Sequence, residues 1–129
     1  MEILISVISM GFVKDFIEIV GVNKSKTVSA LFDSGAYRTY IRKELTDGEN
    51  VEKIVFHIFE GVHRVILANG KIEEGTRVRF KLLKIKDKII EEPQIVVMDN
   101  LVEDAIIGAL HMQKLGLKLD IPNERIEQS

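Results

Sequence analysis

The pair Asn69-Gly70 constrains this chain more than any other feature. It sits between two β-prone runs, Val62 to Ala68 and Lys71 to Leu83. Both residues tolerate positive φ, so the pair predicts a β-hairpin closed by a type I′ turn. The rest of the chain keeps the same rhythm of short apolar runs cut by turn residues. Ile3, Ile5 and Val7 alternate with Leu4, Ser6 and Ile8, which predicts a first strand. Phe12 to Val20 fits two periods: Phe12, Phe16 and Val20 suit a helix, whereas Phe16 to Val20 suits a strand. The strand is preferred, because Gly21 to Ser25 follow as a turn and Lys26 to Phe32 read as the return strand. In that return strand Val28, Ala30 and Phe32 share one face and Thr27, Ser29 and Leu31 the other.

Tyr37 to Ile41 is β-prone again, and Lys43 to Gly48 predicts a single helical turn ended by Gly48. Val51 to Phe59 predicts another strand, and Asp87-Lys88 the turn of a second hairpin. Pro93 opens a strand over Gln94 to Met98. Ala109 to Leu115 is the one convincing helix, stopped by Gly116. Leu117 to Ile121 predicts a last strand, with Pro122-Asn123 as a turn before a polar tail. There is no internal repeat, low-complexity tract or linker, so residues 1–129 read as one mostly-β domain with one short C-terminal helix. Aromatic residues make up only 6% of the chain and Trp is absent, so a core of Ile, Val and Leu is expected, which favours strands.

Several function classes are excluded at this level. A net charge of −2 supplies no basic field for nucleic acid. Arg77 to Lys88 is rich in Lys and Arg, but Val, Phe, Leu and Ile alternate through it, which reads as the wet face of a strand. No apolar run approaches the roughly 18 residues of a membrane span, and the N-terminus lacks the basic start of a signal peptide. The absence of cysteine removes disulfides, thiol catalysis and thiolate metal sites, and fits a cytoplasmic location. His57, His63 and His111 are the only histidines, and no partners converge with them in the sequence, so no metal is expected. Ser34 has no Gly-x-Ser-x-Gly elbow around it and no evident activating base.

The element with chemistry in it is Ala30-Leu31-Phe32-Asp33-Ser34-Gly35-Ala36. An apolar strand runs directly into an acid, and Gly35 lets the backbone turn sharply or approach another group. An acid at the end of a buried strand is costly to ionise unless something solvates it. Read alone, the segment is most simply a β-turn in which Asp33 caps its own backbone. Two further elements shift that balance: Leu67-Ala68-Asn69-Gly70-Lys71, and Ile106-Ile107-Gly108, which precedes the Ala109 to Leu115 helix.

Together these resemble, in order and spacing, the signature of the retropepsin-like aspartic proteases over roughly residues 14 to 121. Each element alone is common; the ordered set is much more specific. The resemblance implies a closed β-barrel-like acid protease fold. It implies a homodimeric peptidase in which Asp33 from each chain forms the catalytic pair, because the chain holds one Asp-Ser-Gly element and such catalysis needs two. Two carboxylates in contact share one proton. One then acts as general base on water while the other polarises the scissile carbonyl, with no cofactor or metal.

In the same reading Ser34 hydrogen-bonds across the dimer axis, Gly35 leaves room for substrate, and Ala36 completes the active-site loop. Ala68, Asn69, Gly70 and Lys71 form a flap over an extended peptide or protein substrate, and Ile106, Ile107 and Gly108 are the supporting motif. The sequence departs from viral relatives at Tyr37 and Ala109, which stand where those carry a pairing acid and Arg that brace the dimer. A non-catalytic dimerisation or peptide-binding module on the same fold is the alternative the residues leave open.

Overall fold

The computed structural model describes residues 2–4, 13–67 and 69–128. Strand β1 (Glu2–Leu4) covers the start of the expected first strand; its remainder lies outside the described residues. Strands β2 (Val13–Val20) and β3 (Ser25–Phe32) pair antiparallel in unbroken register from Val13 opposite Phe32 to Val20 opposite Ser25. Burial decides between the two periods of the Phe12 to Val20 segment. Ile17 and Ile19 are buried while Phe16 is 67% exposed, which is the alternation of a strand. In β3, Val28, Ala30 and Phe32 enter the main core, and Leu31 joins a second apolar cluster on the opposite face.

After the Asp33 segment, β4 is confined to Tyr40–Arg42. The helical turn expected at Lys43 to Gly48 is instead a bridge between Glu44 and Asn50, closed by Gly48 N–H donating to Leu45 O at 2.8 Å. The helical turn lies further on, a 3-10 turn at Val51–Lys53, because the Asn50 side chain caps it by accepting from Glu52 N–H at 2.9 Å. The strand expected over Val51 to Phe59 therefore shrinks to β5 (His57–Ile58).

Strands β6 (His63–Leu67) and β7 (Ile72–Arg79) make the Asn-Gly hairpin, paired from His63 opposite Gly75 to Ile66 opposite Ile72. Its loop differs from the expected two-residue type I′ turn. Gly70 N–H donates to Leu67 O, Leu67 N–H donates to Lys71 O, and Gly70 holds φ +84°, which is a three-residue loop closed by a left-handed glycine. The β-prone run breaks at Phe80 and Lys81, giving β8 (Leu82–Ile85) and β9 (Lys88–Glu91). Ile85 pairs with Lys88, so the turn residues are Lys86 and Asp87, one position earlier than expected, with Lys86 at φ +59°.

Strand β10 (Gln94–Met98) and strand β11 (Ala105–Ile107) precede helix α1 (Ala109–Leu115). Gly116 ends that helix in the left-handed region at φ +66°. Strand β12 (Leu117–Asp120) pairs with β13 (Arg125–Gln128), a strand where a polar tail was expected. Only Ile126 of β13 packs on the core, so its pattern carries little apolar signal.

The main sheet runs β1-β6-β7-β10-β4-β11-β3-β2-β8-β9, with β5 on the edge of β7. Two pairings are parallel at its centre, β10 with β4 and β11 with β3. The fold is mostly β, but the expected barrel closure is absent among the described residues. Strands β1 and β9 are the two ends of the path and do not pair with each other; a closed sheet needs that last ladder. The larger core cluster fills one side with Ile17, Ile19, Phe32, Phe80, Leu83 and Ile107 among others. The second, with Leu31, Ala36, Tyr40, Val65, Val96 and Ile106, lies where the Asp33 segment and the hairpin approach each other. Among the described residues no helix is long and apolar enough to cross a membrane.

Candidate active site

Asp33 leaves the end of β3 and is 5% exposed. Its backbone N–H donates to Ile107 O at 3.0 Å, so the parallel ladder between β3 and β11 continues into the acid. The carbonyl of Asp33 accepts from Ala36 N–H at 3.1 Å, and Oδ1 accepts from Gly35 N–H at 2.8 Å. The turn-capping geometry of an isolated Asp-Ser-Gly is therefore present. It accounts for only one carboxylate oxygen. Oδ2 is buried and has no hydrogen-bond partner among the described residues, which native proteins rarely leave so. Ser34 and Gly35 are exposed, whereas Ala36 is fully buried in the second cluster.

The Ile106-Ile107-Gly108 motif is brought directly against this loop. Ile106 pairs with Leu31 and Ile107 with Phe32. A Cβ on Gly108 would overlap the carbonyl oxygens of Arg38 and Tyr37, so only glycine permits the approach. The first amides of α1 then serve the loop: Ala109 N–H donates to Ala36 O at 2.7 Å and Leu110 N–H to Tyr37 O at 3.0 Å. These are amides that a helix start leaves without intrahelical partners.

Two residues that sequence reasoning did not assign to the site complete this junction. Thr39, 2% exposed, accepts from Gly108 N–H at 3.2 Å through Oγ1. The same hydroxyl lies 2.7 Å from His111 Nδ1. Burial, with a smaller contribution from the Lys114 ammonium, pushes the His111 imidazole down to about 4, so it is neutral near pH 7. The Thr39 hydroxyl thus accepts from Gly108 N–H and shares a hydrogen bond with Nδ1 whose direction is set by the imidazole tautomer. Thr39 lies in a β-prone run and His111 on the inner face of a short helix; neither position carries a motif.

The hairpin is placed differently. Val65 in β6 is fully buried in the cluster that holds Leu31, Ala36 and Tyr40, so the base of the hairpin rests beside the Asp33 loop. Asn69, Gly70 and Lys71 are exposed, and Asn69 Oδ1 accepts from Lys71 N–H at 2.9 Å. Ala68 lies outside the described residues. Among the described residues no group of three His, Cys, Asp or Glu side chains gathers as a metal site.

A family model described as aspartyl protease matches residues 19–110, a span that includes Asp33, the hairpin and the glycine motif before α1. No curated protein matches in sequence. Among solved structures, the retroviral protease-like domain of Ddi1 from Leishmania major is similar at a TM-score of 0.59 and 18% identity, over 95% of this chain and 90% of that one. A retropepsin-like aspartic protease from Rickettsia conorii is similar at a TM-score of 0.49 and 16% identity, over 84% of this chain and 89% of that one. The chain shares its fold with that retroviral protease-like domain, and the family match, covering most of its length, makes it a member of the aspartyl protease family.

Proposed function

We propose that the chain is half of an aspartic peptidase, completed when a second copy brings its own Asp33 against the first. The observation that carries this reading is the Asp33 carboxylate itself: one oxygen is held by Gly35 N–H, and the other is buried without a hydrogen-bond partner among the described residues. A buried carboxylate oxygen in that state calls for a proton, a water or a second acid. A symmetric pair supplies all three. The two carboxyl groups hold one proton between them, the ionised member takes a proton from the bound water, and the protonated member hydrogen-bonds the scissile carbonyl. The exposed Ser34 and Gly35 are then free to meet the partner chain and the peptide. Asn69 and Gly70 cover the extended substrate, which docks as an added strand.

The test is hydrolysis of a peptide library by the purified chain from acidic to neutral pH, beside Asp33→Asn. Cleavage is expected from the native chain, with a loss of at least about a thousandfold in the variant, since a paired-acid mechanism fails without its general base. Cleavage surviving Asp33→Asn sinks the reading.

One observation favours a second reading, a non-catalytic peptide-binding or dimerisation module. Tyr37 and Ala109 stand where viral relatives brace the dimer with an acid and an Arg. Peptide binding without hydrolysis at any pH, unchanged by Asp33→Asn, supports that module over the peptidase.

A further inference from the structure

Arg77, Arg79 and Lys81 are spaced two apart along β7 and just beyond it, with Val78 and Phe80 fully buried between them. That alternation sets Arg77 and Arg79 on one face of the sheet, with exposed Lys81 following just past the strand end. Lys14, Arg42, Lys84 and Lys86 each pair with a carboxylate, but Arg77, Arg79 and Lys81 form no ion pair among the described residues. They lie over aromatic rings instead. Lys81 Nζ is 4.2 Å from the Phe56 ring centroid, and the guanidinium groups of Arg79 and Arg77 are 5.1 and 5.8 Å from that of Phe59. The rings hold the cations in place without neutralising them.

Arg79 Nε is buried with no hydrogen-bond partner among the described residues, an arrangement that asks for an acceptor. Arg79 also lines a cleft of about 590 Å³ together with Arg38, Gln94 and Lys114. Among the described residues the carboxylates lining it are Glu91 and Glu92, and neither makes an ion pair with Arg79 or Lys114. The strip continues the face on which the Asp33 loop rests. Arg77 sits opposite Val96, and Val96 packs in the cluster with Leu31, Ala36 and Tyr40.

We propose that this strip and the adjoining cleft form a docking surface for an acidic stretch of polypeptide, separate from the Asp33 loop. Charge complementarity names the partner: three fixed, unneutralised cations in a row match side-chain carboxylates spaced along an extended chain. The partly exposed Phe56 beneath Lys81 adds apolar contact suited to a peptide. Nucleic acid fits less well. The Phe56 and Phe59 rings are covered by cations rather than open for bases to stack, and the net charge of −2 gives no long-range attraction for a phosphate chain.

The experiment is fluorescence anisotropy of a labelled Glu/Asp-rich peptide titrated with the native chain, Asp33→Asn, the double variant Arg77→Gln/Lys81→Gln, and the single charge reversal Lys81→Glu. Thermal melts of each protein check folding. Binding is expected to weaken roughly tenfold or more in the double variant, and similarly when salt is raised from about 0.05 to about 0.5 M, while Asp33→Asn binds as the native chain does. Lys81→Glu, on an exposed side chain, gives the same direction if the double variant melts early. Equal binding of a neutral peptide of the same length overturns the proposal. So does unchanged affinity in both charge variants, loss of binding in Asp33→Asn, or capture of single-stranded RNA in place of the acidic peptide.

Discussion

At the scale of single residues, two buried polar groups stand behind the site and behave differently. Asp33 has one oxygen satisfied inside its own chain and one without a partner among the described residues. His111 is satisfied through Thr39 and is held neutral by burial. Because the folded value of about 4 lies below the ordinary 6.5, the unfolded chain takes up a proton that the folded chain refuses in between. The contribution of the neutral imidazole is complete above pH 6.5 and is lost as pH falls through about 4. At roughly 1.4 kcal/mol per pKa unit it amounts to about 3 kcal/mol. Urea midpoints measured from pH 7 down to pH 4 should therefore fall, and His111→Gln should flatten that part of the curve. A curve of equal slope in the variant rules His111 out as the source. The three histidines look alike in the sequence; only the packing of α1 against the site loop separates His111 from the exposed His57.

At the scale of elements, the glycines divide by what surrounds them. Gly108 lies where β11 turns into α1 against two carbonyls, so Gly108→Ala must push the helix off the Asp33 loop. Gly70 has open space around its Cα and only its positive φ to lose, so Gly70→Ala should cost about 1 kcal/mol. Gly108→Ala should cost about 2–4 kcal/mol, in the range of strained or overpacked core positions, and lower peptide hydrolysis with it. Equal costs in chemical denaturation would show that the helix docks less tightly than the distances imply.

The hairpin teaches a related point. Asn69-Gly70 announced a turn, yet the loop is three residues rather than two. The register is set elsewhere, by Val65, which must face the cluster with Ala36 and Tyr40; a slip of one residue would turn it to solvent. Asn50 shows the reverse case, in which a local cap overrode a β-prone run and moved the helical turn past it.

At the scale of the whole molecule, the proposed catalytic unit is larger than the chain. If two copies build one site, specific activity should fall on dilution, with the rate approaching second order in chain concentration below the dimer constant. Mixing native chain with an excess of Asp33→Asn should quench activity through mixed dimers. Specific activity that stays constant on dilution and resists the variant would mean that one chain is sufficient. The open ends of the main sheet at β1 and β9 leave pairing edges among the described residues.

The sequence by itself determined the local chemistry. Alternating apolar runs specified β2 and β3, Pro93 marked the start of β10, Gly116 ended α1, and the ordered trio of Asp33, Asn69-Gly70 and Ile106-Ile107-Gly108 marked the family. These signals are legible because period and turn chemistry act over a few residues. Only the tertiary structure decided that Ile107 O receives the Asp33 amide, that Thr39 and His111 brace the glycine behind it, and that Arg77, Arg79 and Lys81 lie over aromatic rings with no acidic partner among the described residues. It also decided that the main sheet stays open among the described residues. Each depends on groups dozens of positions apart meeting in space, which no local pattern encodes.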